Sequence, residues 1–362
     1  MFIVDFWKKN FDNKSINFHL KKNIFNRNIS EGVVVSSFEK KITDFLKSKY
    51  VLAVPNGSIA MLIALMSLKL KRNDEIIVPD RSWISLLNAI NILGLKVKFV
   101  DVENSIPVID CKALERVISH KTKAIIAVHM GGRLCNMKEI NRLAKKRNIF
   151  VIEDAAQSFG CKFSNSTRYA GTFSDIGCFS LSIAKTISSG QGGFVVTNNY
   201  SLFKSLKEIK NNGLIDIKNI KKWGKNGLNF KFTDILATIA ICDLTKFKYY
   251  KIKLIELYKL YTKHLNNKKI KIIPVNYKNG EIPQYIEVIC KQRDKLQRLL
   301  RKEKIDTRIF YPSMHKALNN YRSLNVNFYN SNIFEKNGIY LPSGPDQNFS
   351  KIKKVISILN KF

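Results

Sequence analysis

Phe150-Val-Ile-Glu-Asp154-Ala-Ala-Gln157 is the stretch on which the reading of this 362-residue chain turns: a short apolar run that ends abruptly on two acids. A run of this length and composition predicts a strand, and a continuous apolar strand predicts a parallel sheet covered on both faces. A carboxylate placed where such a strand ends is costly unless it is paired or functional. Asp154 is thus a candidate for holding a protonated ring nitrogen of a cofactor, though a helix cap or an ion-pair partner uses the same residue in the same place.

Similar runs flank it. YVLAV (50–54), EIIVP (75–79), VKFVDV (97–102), AIIAVHM (124–130) and GGFVVT (192–197) read as further strands. Between them, IAMLIALMSLKL, ISLLNAINILG and MKEINRLAKKRN carry apolar residues at helical spacing. Strand–helix alternation predicts an α/β fold with a mostly parallel sheet, whose ligands bind beyond the carboxyl ends of the strands. Residues 208–227 read as a long polar loop, and residues 232–265 as one or two long helices leading out of the large unit. The remainder mixes strand-like runs (KIIPV, QYIEVIC) with helix patterns, which suggests a smaller α+β domain. We place the division at 1–240 and 241–362.

Three further segments could carry chemistry at those strand ends. Gly171-Thr-Phe-Ser-Asp175-Ile-Gly-Cys-Phe179-Ser180-Leu-Ser-Ile-Ala-Lys185 runs on to Gly190-Gln-Gly-Gly193. Lys185 stands in one of the least charged neighbourhoods of a lysine-crowded chain, the environment that lowers an amine pKa and makes a nucleophile. Pro55-Asn56-Gly57-Ser58 follows the first strand, and free N–H groups at a helix start beside a hydroxyl suit a phosphate; it is equally an ordinary capping turn. Arg81-Ser82-Trp83 follows the second strand, where Trp83 could stack on a flat ring or belong to the core.

Bulk properties narrow the field. The net charge is +34, but the lysines are spread along the chain and form no nucleic-acid module, so a general lysine bias accounts for them. A basic nucleic-acid-binding protein is the alternative of another class. No apolar stretch spans a bilayer or resembles a secretory leader, and six cysteines without CxxC pairing suggest no metal site and a reducing cytoplasm.

Taken in order, the segments resemble the DegT/DnrJ/StrS family of sugar aminotransferases, fold-type I enzymes that use pyridoxal 5′-phosphate (PLP). The resemblance extends through VHMGG (128–132), GLNFKFTDILATIA (227–240), YPSMH (311–315) and YLPSG (340–344). It implies a seven-stranded, mostly parallel sheet flanked by helices. It also implies that Lys185 forms the Schiff base and shuttles the proton, and that Asp154 pairs with the pyridinium. Gln157 would lie near the ring's 3-hydroxyl and Trp83 on the ring face opposite the lysine. Gly57, Ser58 and Ser180 would bind the phosphate, with Asn229 reaching it from the neighbouring subunit of a homodimer with shared active sites. His315, Lys231 and the 208–227 loop would touch substrate. The implied reaction moves an amino group, with L-glutamate as donor, to a nucleotide-linked keto-sugar (4-keto-6-deoxy or 3-keto-6-deoxy) for surface polysaccharide. A PLP-dependent sugar dehydratase or a non-catalytic relative is the neighbouring alternative; relatives of that branch carry His in place of the lysine.

Overall fold

Continuous apolar runs become strands of one seven-stranded sheet. In chain order these are β1 (Tyr50–Val54), β2 (Glu75–Pro79), β3 (Lys96–Val100), β4 (Thr122–Val128), β5 (Phe150–Asp154), β6 (Ile176–Ser180) and β7 (Gly193–Thr197). The computed structural model describes residues 2–362 apart from 28, 165, 216–223, 225 and 322–325. The strand order is β1-β7-β6-β5-β4-β2-β3. Strands β2 to β6 run parallel, and β7 is antiparallel to both of its neighbours, β1 and β6.

Register aligns the functional ends. Val128 lies opposite Asp154, Asp154 opposite Cys178, and Gly193 opposite both Val54 and Ser180. The ends of β1, β4, β5 and β6 therefore meet at one edge, where ligands of such sheets sit. Strand β6 was not among the apolar runs singled out above: Gly177 interrupts it, and a Cβ there would stand 2.0 Å from Gly171 O.

The sheet is buried on both faces. On one side Leu52 and Val54 of β1 pack with the helix Gly57–Ser67, and on the other Val51 and Ala53 pack with the helices Val33–Leu46 and Asp234–Thr245. The helix Gly57–Ser67 is apolar nearly all round and six of its residues are buried, as expected of a helix inside a layer.

Four antiparallel strands form a second sheet: β8 (Ile270–Ile272), β9 (Ile286–Cys290), β10 (Arg308–Ile309) and β11 (Gly338–Leu341), in the order β10-β11-β9-β8. The helices Arg293–Lys302 and Phe349–Lys361 bury Leu296, Leu300, Ile352 and Val355 against it. The start of the chain joins this unit, since Val4 lies in the same core and bridges to Ile305, and Trp7 bridges to Ser343. The division we propose at 240 falls inside the helix Asp234–Thr245, and residues 4–7 cross it. Residues 232–265 form two helices, Asp234–Thr245 and Phe247–His264, separated at Lys246. Of the segment read as a loop, 208–210 end the helix Tyr200–Lys210, while 216–223 and 225 lie outside the described residues.

Candidate active site

Asn56 leaves β1 in an extended conformation and caps the helix Gly57–Ser67, its side-chain oxygen accepting from the Ile59 N–H at 2.9 Å. Gly57 is required by contact: a Cβ on it would lie 2.9 Å from the Ser180 Cβ. The absence of a side chain lets the tips of β1 and β6 approach each other, so Ser58 and Ser180 line one cavity beside the free N–H groups of the first helical turn. That pairing of hydroxyls with a helix N-terminus favours an anion.

The two acids ending β5 point apart, as successive strand residues must. Glu153 is fully buried. One of its oxygens accepts the N–H groups of Phe173 (2.7 Å) and Ser174 (2.8 Å), and the other accepts Gly171 N–H (2.9 Å) and meets His129 Nε2 (2.9 Å). Because the Cys135 N–H donates to His129 Nδ1 at 3.1 Å, Nδ1 is bare and Nε2 carries the proton donated to Glu153. Asp154 faces the cavity. Its Oδ1 accepts Ala156 N–H at 3.0 Å, and its Oδ2 has no hydrogen-bond partner among the described residues. Burial holds this carboxyl above the usual carboxylate range, against the opposing effects of Ala156 N–H and the Lys185 charge.

Lys185 lies on the loop after β6, and its side chain enters the same cavity. Burial lowers its amine from the ordinary lysine value to about 8, with the Asp154 carboxylate pulling the other way. Gln157 is fixed by its Oε1, which accepts Gly131 N–H at 2.8 Å. Trp83 is 55% exposed and forms a wall, edge-on to Tyr311 at 5.5 Å between ring centroids. The cavity holds about 470 Å³, within the range of a small-molecule site.

Seven of the ten residues singled out from the sequence line this cavity: Gly57, Ser58, Trp83, Asp154, Gln157, Ser180 and Lys185. His315 does not. It is buried, its Nδ1 lies 2.8 Å from the Asp80 carboxylate and its backbone N–H donates to Asp80 at 2.9 Å. It ties the short helix Met314–Ala317 to the end of β2. Asn229 and Lys231 are exposed and lie outside their own chain's cavity.

Sequence reading missed His129, Tyr285, Arg308 and Tyr311 in the lining, and Glu153 behind it. The doubled acid at the end of β5 was the available signal for Glu153. Nothing local marks Tyr285 or Arg308, which reach the cleft from the smaller unit.

An aldehyde cofactor bearing both a ring nitrogen and a phosphate would use the amine, the free carboxylate oxygen and the anion-binding turn together, which sets the cleft in the class of PLP-dependent transferases. Residues 11–360 match the model of the DegT/DnrJ/EryC1/StrS aminotransferase family, and the chain belongs to that family. GDP-perosamine synthase of Escherichia coli O157:H7 is 32% identical over 343 residues, 92% of this chain and 91% of that protein. The Vibrio cholerae GDP-perosamine synthase is 28% identical, with 92% of each chain covered. Among solved structures, the E. coli GDP-4-keto-6-deoxy-D-mannose-3-dehydratase with bound hydrated PLP has a TM-score of 0.88 at 25% identity, covering 99% of this chain and 100% of that one. Helicobacter pylori PseC, an aminotransferase involved in the biosynthesis of pseudoaminic acid, has a TM-score of 0.91 at 20% identity, covering 99% and 98%, a likeness of fold. No described helix is long and apolar enough to cross a membrane.

Proposed function

We propose that the chain transfers an amino group from L-glutamate to a nucleotide-linked keto-sugar, with PLP held at Lys185. The observation that carries this reading is that the lowered amine of Lys185 and the unpartnered oxygen of Asp154 face one cavity. Bound PLP would supply an aldehyde carbon for amines to attack and a ring that accepts electrons from the substrate carbon.

The residues present fit that group. Asp154, raised by burial and short of a donor, would be relieved by a ring N–H⁺ and would hold the proton there. Lys185 would hold the aldehyde carbon and then, freed by the incoming amine, move a proton at its Nζ. The helix N-terminus with Ser58 and Ser180 would bind the phosphate dianion, Trp83 would cover one ring face, and Gln157 would stand at the ring edge. Asn229 and Lys231 would enter the cavity of a partner subunit, which fits their exposure on their own chain.

A GDP-linked 4-keto-6-deoxy sugar is the first substrate to test, because two of the relatives are GDP-perosamine synthases and a structural neighbour is a GDP-4-keto-6-deoxy-D-mannose-3-dehydratase. Incubation with glutamate should give the amino sugar and 2-oxoglutarate, seen by mass spectrometry as exchange of the carbonyl for an amine. Loss of a hydroxyl from the sugar without glutamate-dependent amination would instead support the dehydratase reading.

A pH dependence follows from Lys185. Only the neutral amine captures an aldehyde, and the folded chain holds this amine near 8. Covalent capture of PLP by the apoenzyme, trapped with borohydride, is expected to rise with pH through a midpoint near 8. A midpoint at the ordinary lysine value of about 10.4 would show that the capturing amine is an exposed one.

A further inference from the structure

The segment from Val4 to Asn10 threads between the smaller sheet and the loop that carries Lys185. Ser343 N–H donates to Phe6 O at 2.7 Å and Lys8 N–H to Ser343 O at 3.0 Å, which fixes the segment to the end of β11. Phe6 then stands in the cavity wall, stacked on Tyr285 at 5.8 Å between centroids.

Lys9 turns towards the lysine loop. Its side chain is 1% exposed, and its ammonium donates to the main-chain oxygens of Thr186 at 3.0 Å and Lys185 at 3.4 Å while pairing with Asp243. Asp243 also accepts Ser188 N–H (2.7 Å) and Tyr250 O–H (2.7 Å). From the opposite side, Gln284 Nε2 and Tyr285 O–H donate to Ala184 O at 2.7 and 3.1 Å. The successive carbonyls of Ala184 and Lys185 are therefore gripped by groups from two distant parts of the chain, Lys9 and the pair Gln284–Tyr285. The loop's own support at Lys185 is one hydrogen bond, from its N–H to Ser182 O at 3.0 Å.

A buried ammonium is expensive unless it is paired and fully hydrogen-bonded. Here the third donor direction is spent on the main chain of the residue whose amine enters the cleft. Lys9 also lies before the residues matched by the family model.

We propose that Lys9 is a positioning residue for Lys185: held by Asp243, its ammonium fixes the main chain at Lys185 and Thr186 so that the Lys185 amine stays in the desolvated cavity. The inference rests on the assignment of Lys185 made above. The charged and titratable groups around that amine are Asp154 across the cavity, His129, Cys178, Tyr285, Arg308, Tyr311 and Tyr340 in its walls, and Lys9 with Asp243 behind the main chain.

Capture of PLP by the full-length apoenzyme, trapped with borohydride across pH, reads the Lys185 amine without turnover. The parent protein sets the reference, and absence of capture there would remove the assignment of Lys185 itself. Lys9→Met frees the loop and lets the amine reach water, so capture at about pH 7.5 should slow at least about tenfold and its midpoint move upward. Amide exchange over residues 182–188 should quicken, and Lys9→Arg should restore most of the parent behaviour. The double variant Lys9→Met/Asp243→Asn leaves no uncompensated buried charge and keeps an acceptor for Ser188 or Tyr250, so it decides the matter if the single variant does not fold. A folded variant lacking the Lys9 ammonium, with parental midpoint and parental exchange, would overturn the proposal.

Discussion

Lys185→Ala is expected to abolish borohydride-fixed PLP and to lower turnover by at least about 10²–10⁴-fold, the range lost with a positioned proton-transfer group alone, while the apoenzyme folds as well as its parent. The first part follows from position, because this amine projects into the cavity that Asp154 faces. The second follows from the cost of putting a lysine there. Burial depresses the amine to about 8, so the folded state disfavours its charged form. That penalty is fully present below pH 8, fades as pH rises towards the unfolded value, and is absent above it. Alanine removes the penalty, so the apparent unfolding midpoint of the apoenzyme at neutral pH should be unchanged or higher. Added small primary amines should recover part of the proton-transfer step. A Lys185→Ala protein that still carried reducible cofactor linkage would end the assignment.

Glu153→Ala is expected to show the opposite pattern: a loss of about 3–5 kcal/mol of stability, because deleting the carboxylate strands several buried donors at once. Four donors converge on this carboxylate, three from the main chain at 171–174 and one from His129. Each buried donor left unpaired costs about 1–3 kcal/mol, and the sum is reduced because the loop 171–174 can open towards water. The loop leads directly into β6, and thus into Ser180 and Lys185, so cofactor affinity should fall together with stability. Glu153→Gln keeps one acceptor but turns an amide N–H₂ towards the other donors, and should lie between the two. Chemical denaturation of the apoproteins measures the difference. An unaltered midpoint for Glu153→Ala would show that water satisfies the loop in the parent's place.

Much of this site could be read from local sequence. Strands β1, β2, β4, β5 and β7 are built on apolar runs, and the chemistry-bearing residues stand at or just beyond strand ends, many in Gly/Ser-rich turns, so Asp154, Ser58, Trp83 and Lys185 each stand out against their immediate neighbours. Strand β6 escaped because its composition answers to the packing of Gly177 on Gly171. The setting of His315 escaped for a related reason: its Nδ1 pairs with Asp80, and the two are 235 residues apart. Arg308, Tyr285 and Tyr311 lie in a unit whose sequence patterns describe its own small core and are silent about the cleft it closes.

The amino-acid sequence alone thus determined the alternation of strands and helices and the burial of the large sheet, and it singled out Lys185 and the acids ending β5 as candidates, because these depend on the period of apolar residues and on contrasts within a few positions. Tertiary structure decided which of two adjacent acids faces the cleft, that β7 runs against its neighbours and so brings β1 beside β6, and that Lys9 reaches Asp243 across 234 residues. The physical reason is that register, direction and long-range pairing are chosen by the summed packing of distant segments, which no window of neighbouring residues contains.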